Sequence, residues 1–238
     1  GLCEKNKTAR TETSMIKDTF DTHAYHHLHN RGFEGRVIFS SEEDFNRFEA
    51  YLYLLNAIES PRVSNLFARG RKSNIFENAR GEQLVAIASY AFTPKEFHLL
   101  AVACVEGGVA KFMQKLQTAY TMYFNHKYQR KGILFQSSYR SEYAESEEHL
   151  KYLHAFIHLF PAHLFNTEWR TLGALDLERV AASAIQYRYS SAGEYESGNF
   201  KITSPPAFPR TLTRMRDARS CVHVWDALKK TVPFPLGN

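Results

Sequence analysis

Two apolar runs flank a single proline, and that arrangement restricts the fold more than any other stretch of the chain. Leu84 to Phe92 is nearly continuous hydrocarbon. Thr93-Pro94-Lys95 interrupts it, and Glu96-Phe97-His98-Leu99-Leu100-Ala101-Val102 resumes it. Apolar runs of this length broken by a turn read as adjacent buried strands. Side chains two apart on a strand share a face, so Glu96 and His98 project together from the start of the second strand. A carboxylate beside an imidazole either holds a divalent metal or forms a polar strand end, and geometry alone leaves both open.

The elements on either side follow from periodicity. Tyr25 onward reads as a strand through His26-His27-Leu28-His29, with a turn at Gly32–Gly35. Ser40 with Glu43 forms a capping-box pattern. Phe45, Phe48, Leu52 and Leu55 then recur at helical spacing, which predicts a helix over 41–58. Residues 61–82 read as a loop carrying Arg62, Arg69, Arg71, Lys72 and Arg80. Beyond the paired strands, Gly107-Gly108 opens a second helix that runs to about Tyr128. Ile133 to Tyr143 is expected to be extended. Ser146, with Glu147 and Glu148 in the first turn, caps a third helix, and Pro161 stops it. A further helix is expected near 176–186, and residues 187–195 read as irregular.

Strand, helix, strand, strand, helix, strand, helix is the split βαβ plan of an α+β, ferredoxin-like (RRM-like) antiparallel sheet. Its helices are expected on one face, leaving the other open with Glu96 and His98 on it. A chain of 238 residues holds one large domain with appendages, at roughly 100–200 residues per domain. The expected division is a polar tail at 1–20, a domain at 21–200 and a basic extension at 201–238. That extension has seven basic residues against two acidic ones, an excess equal to the +5 of the whole chain. The three cysteines are odd in number and far apart, matching neither a zinc motif nor a disulfide framework. This favours a reducing, cytoplasmic setting. No run approaches the ~18 apolar residues of a membrane span.

Several stretches together carry a likeness. His29-Asn30-Arg31-Gly32, Ala119-Tyr120-Thr121-Met122-Tyr123-Phe124-Asn125, Lys131-Gly132-Ile133-Leu134-Phe135-Gln136, Phe156-Ile157-His158-Leu159-Phe160-Pro161 and Tyr189-Ser190-Ser191 follow one another. In that order they resemble the REP-associated tyrosine transposases, a branch of the single-tyrosine HUH transposases, over roughly His23 to Glu196. The resemblance implies strand chemistry on DNA. Two histidines one residue apart hold a divalent cation that polarises the scissile phosphate. A tyrosine on the last helix attacks phosphorus, and an amide one turn later completes the metal shell.

This chain departs from that pattern at each place. Glu96 stands where the first histidine belongs, and only His98 remains. Phe156 occupies the tyrosine position and Phe160 the amide position. A carboxylate suits Mg²⁺ or Mn²⁺, but a phenyl ring has no oxygen with which to attack phosphorus. Tyr152, one turn earlier, is a substitute about 6 Å away along the axis, a large error for in-line chemistry. His27 and His29 lie on a strand that should neighbour Glu96 and His98, as further metal ligands or simply as a polar sheet face.

The resemblance therefore implies a catalytically inactive relative that binds hairpin or single-stranded DNA, with no cofactor required and Mg²⁺ or Mn²⁺ only if the altered site keeps a metal. Expected DNA contacts are Asn30, Arg31, Arg130, Lys131, Arg140 and Arg188, with Tyr139, Tyr143, Tyr187 and Tyr189 as stacking surfaces. The setting implied is a prokaryotic cytoplasm, at the nucleoid and away from membranes. Two alternatives stay open. One is an active single-strand nuclease using Glu96, His98 and Tyr152. The other is a protein-interaction module, with a homodimer or a different protein as partner.

Overall fold

The computed structural model describes residues 25–59, 75–77 and 81–232. The tail 1–20 and most of the arginine-bearing stretch 61–82 lie outside the described residues. Within them, the strands are β1 (Tyr25–Arg31), β2 (Val85–Thr93), β3 (Glu96–Ala103) and β4 (Arg140–Tyr143). The first helices are α1 (Glu42–Leu54) and α2 (Gly108–Lys127). The sheet order is β2-β3-β1-β4, antiparallel throughout. That is the ferredoxin-like order expected from the element sequence, because each crossover skips one strand position and the other unit's strand fills it.

The proline turn does more than join β2 to β3. The Pro94 carbonyl accepts from Ile38 N at 2.8 Å and Phe39 N at 3.1 Å, while Lys95 O accepts from Gly32 N at 2.8 Å. The turn therefore holds the chain leaving β1. Gly32 is needed there, since a Cβ would stand 2.0 Å from the Arg36 carbonyl oxygen. Entry to α1 is one residue later than the Ser40–Glu43 pattern suggests. Ser41 is the cap, and the buried Asp44 carboxylate accepts from Ser40 N and Ser41 N at 2.8 and 2.9 Å. Tertiary partners of Asp44 decide this register: Lys127 and Tyr128 approach the same carboxylate at 2.7 Å each.

Only Arg140–Tyr143 of the stretch 133–143 pairs as a strand; Phe135 makes an isolated bridge to Gly32. α1 and α2 pack on one face as expected, over Leu28, Phe97, Leu99 and Ala101. The opposite face is not open. It is covered by α3 (Glu147–Leu159), which packs on β2 and β3, while α4 (Ala174–Ile185) and the last long helix pack against α3. That helix follows the short α5 (Ala192–Ser197) and α6 (Arg210–Thr213) and is therefore α7 (Ala218–Leu228). The 201–238 stretch is rich in proline and charge, which hides the fact that Phe208, Leu212, Cys221, Val222 and Trp225 supply a buried layer. Residues 189–191 also close the β2 edge, where Phe92 N donates to Tyr189 O and Ser191 N to Tyr90 O, both at 2.9 Å.

Candidate functional site

Strand alternation gathers one set of side chains beneath α3. Arg31 pairs with Glu96, His29 with His98 and Arg140, and His27 with Glu142. The rings of His27, His29 and His98 stack nearly parallel with centroids 5.0 to 5.3 Å apart. His27 Nε2 and His98 Nδ1 share a hydrogen bond of 3.0 Å. Each end of that pair faces a carboxylate at a distance too long for a hydrogen bond. His98 Nε2 lies 3.8 Å from Glu96, and His27 Nδ1 lies 3.7 Å from Glu142, which also faces His149 Nε2 at 3.8 Å. The three nitrogens concerned are buried without a hydrogen-bond partner.

Burial sets the protonation states. It takes His27 well below the ordinary imidazole range, helped by His98 and His149. It also lowers His98 against the opposing pull of Glu96. His29 falls to about 2 through burial and its neighbours His27, His98 and Arg140. Burial would raise Glu96, but attraction to His98, His163 and His29 outweighs it and holds this carboxyl low. Burial raises Glu142. Near neutral pH the stack is uncharged and Glu96 is ionised.

Phe156 is fully buried, with its ring edge-on to His27 and His98 at 5.9 and 5.4 Å. Phe160 sits closer still, 4.1 Å from the His98 ring. Tyr152 lies flat on Trp225 at 4.8 Å and 7°, buried, with its hydroxyl pKa pushed up by burial. Among the described residues, no three His, Cys, Asp or Glu side chains are arranged to hold a metal ion. Glu96 and His98 are two donors, fewer than a zinc site takes from its protein. A carboxylate beside an imidazole suits Mg²⁺ or Mn²⁺, which keep several waters and take one or two protein carboxylates together with substrate phosphates.

The expected DNA contacts divide into three kinds. Asn30 is buried, and its amide donates to Gln117 Oε1 and to the Ser137 and Ser138 carbonyls, so it braces β1 against α2. Arg188 is already engaged beyond the β2 edge, 2.7 Å from Glu42 and 3.0 Å from Asn46. Arg31, Arg130, Lys131 and Arg140 have no carboxylate partner among the described residues, and the same holds for Arg36, which sequence reasoning passed over. Arg36 lowers the pKa of Arg130 after burial does, which marks two neighbouring guanidiniums with no anion between them. Its place just after the Gly32–Gly35 turn was the available signal. Glu142 and His149 were also passed over. Only the β4 register, which the sequence does not give, brings Glu142 beside His27.

A groove of about 430 Å³ runs between α2 and residues 133–139, lined among others by Gln114, Thr121, Met122, Ile133 and Tyr139. No described helix is long and apolar enough to cross a membrane.

The fold and site together define an α+β domain with a ferredoxin-like sheet, helices on both faces and a buried histidine stack. No protein-family model and no curated protein matches the chain. A solved structure with some likeness is a REP-associated tyrosine transposase bound to a REP hairpin. Its TM-score is 0.42 and its identity 8%, with 83% of this chain and 98% of that chain covered.

Proposed function

We propose that the chain is a transposase-like protein that binds hairpin or single-stranded DNA and no longer cuts it. The observation behind the binding half is the group of unpaired cations Arg31, Arg36, Arg130 and Lys131. Cations without carboxylate partners keep their full charge for phosphates. The loss of cutting rests on position 156, where a phenyl ring packs against His98 and His27 in place of a nucleophilic oxygen. Binding needs no cofactor. On this reading the protein acts on DNA in the cytoplasm, at the nucleoid.

The test uses purified full-length protein with a pool of labelled hairpin and single-stranded oligonucleotides in Mg²⁺ or Mn²⁺, scoring binding and covalent adduct together. Binding should weaken steeply with salt, with a slope of log K on log salt of about −3 for four phosphate contacts on a single strand, and no adduct should form. Failure to bind any DNA would remove the proposal. A covalent adduct would overturn its inactive half, and mapping the linked residue would show whether Tyr152 acts. Replacing Glu96→His, Phe156→Tyr and Phe160→Asn together is expected to restore some cleavage. A folded triple variant that binds DNA and metal yet never cuts would show that inactivity has causes beyond these positions.

A further inference from the structure

We infer that the groove between α2 and residues 133–139 seats an unpaired base of the bound strand, with Arg31, Arg36, Arg130 and Lys131 on the phosphates beside it. This deepens the DNA-binding proposal and rests on it. About 430 Å³ lies within the size range of small-ligand sites. Met122 and Ile133 stand at its mouth 68% and 58% exposed, large apolar side chains left in water. Tyr139 offers an aromatic face, and Gln114, Thr118 and Thr121 offer donors and acceptors to a base edge. No carboxylate lines the groove, as suits a ligand that is itself anionic.

The three arginines are fastened to the wall of this groove. Arg36 Nη1 donates to the Ile133 carbonyl at 3.2 Å, and Arg31 Nε donates to the Gln136 side chain. Arg130 Nη1 donates at 3.1 Å to Asn125 Oδ1, and Asn125 Nδ2 donates at 2.9 Å to the Gly132 carbonyl. Each guanidinium is thus held against residues 132–136, with further N–H groups left over for a phosphate. Asn30 fixes the other end of the wall through Ser137 and Ser138. A pre-formed apolar slot beside a fixed cationic row is the arrangement that holds single strands, where bases stack and phosphates pair. Charge complementarity favours nucleic acid over a protein segment here.

The experiment uses full-length protein and a single-stranded oligonucleotide bearing one 5-iodouracil, irradiated in the complex, with the linked peptide read by mass spectrometry. Links to Tyr139 or Met122 are expected. Ile133→Ser should weaken binding about tenfold and leave the salt slope alone, since it removes apolar surface and changes no charge. Arg31→Gln with Arg130→Gln should make the slope shallower by about 1.4. Circular dichroism melts establish that the variants fold, and Ile133 is exposed enough to change safely. Binding with links elsewhere and an unaffected Ile133→Ser would overturn the groove while leaving DNA binding intact. No binding by the unaltered protein would remove both. A dimer in sedimentation that Ile133→Ser dissolves would make the groove an interface between copies, and would also overturn the assignment.

Discussion

The two faces of the sheet draw on the same four strands and differ in how their polar groups are served. Beneath α1 and α2, Leu28, Phe97 and Leu99 pack with Phe48, Phe112 and Leu116. The polar atoms among them have partners. Asn56 bonds both the N–H and the carbonyl of Val85, and the Tyr120 hydroxyl donates to Ile38 O. Beneath α3, His27, His98 and His149 each have a buried ring nitrogen without a hydrogen bond, and His154 has two. Leaving such a group unpaired costs about 1–3 kcal/mol. One face is therefore optimised for holding the fold. The other retains buried polar side chains that packing alone would not select.

Acid should separate the faces most strongly. Burial lowers His27, His98 and His154, the last with help from His158, and takes His158 to about 3. In the unfolded chain each returns to about 6.5. Between those values the unfolded state binds the extra proton, so stability is complete above about 6.5 and falls as pH drops toward the native pKa. The slope is up to about 1.4 kcal/mol per pH unit for each histidine. Acting in the same direction, they should make the native state lose stability as the solution turns acid. Glu142, raised by burial, works in the opposite direction and offsets part of this. Denaturant unfolding measured from pH 7 to pH 4 tests it, and a flat profile would mean that the histidines are not held neutral.

The α1–α2 face should respond to volume and ignore pH. Phe48 is fully buried, with ring contacts to Phe39, Phe92, Phe97 and Tyr120 at 4.9 to 5.1 Å. Phe48→Ala should cost about 3–5 kcal/mol, by equal amounts at pH 7 and pH 5.5. A cost that grows in acid would mean that the two faces are coupled through the sheet.

Asp44→Asn should cost rather less, about 2–3 kcal/mol. The buried carboxylate accepts from two backbone N–H groups, two tyrosine hydroxyls and Lys127. Burial would raise its pKa, yet these bonds hold it low. An amide turns one acceptor into a donor that faces other donors. Thermal unfolding would measure the loss, and a neutral result would mean that Lys127 and the tyrosines find other partners.

What the sequence made legible follows the same division. The hairpin at Pro94, the helical spacing of Phe45, Phe48 and Leu52, and the strand that begins at Tyr25 all rest on local periodicity, so the sheet and its first face could be read. The second face could not. The layer that backs its covering helix α3 comes from α7, where Cys221, Val222 and Trp225 are scattered through a charged, proline-punctuated segment. The pairing of Glu96 with His98 was visible because both lie on one strand. The link from Glu142 to His27 was not, because it spans two strands more than a hundred residues apart in the chain. Asn30 looked like a surface group because nothing in its neighbourhood announces Gln117 and Ser137 as partners.

The smallest effect sharpens the contrast most, because its sign separates the two kinds of interior. His154 is fully buried, both ring nitrogens lack hydrogen bonds, and its ring meets His158 and Tyr195 edge-on at 4.3 and 4.9 Å. A phenyl ring is flat like imidazole, larger by one ring atom, and has no nitrogen to desolvate. His154→Phe should therefore stabilise the protein by about 1 kcal/mol at pH 7. The gain should widen below pH 6.5, because the unfolded chain loses one proton-binding site that the native state does not use. His158→Phe should behave differently. Its Nε2 shares a 2.8 Å hydrogen bond with the Ser191 hydroxyl, which also bonds Tyr90 at the β2 edge. Removing that nitrogen leaves a buried hydroxyl short of a partner, so no gain should appear at pH 7. Paired denaturant curves at pH 7 and pH 5.5 distinguish the two. Destabilisation by His154→Phe at both values would mean that His154 has work to do in that interior which an apolar ring cannot perform.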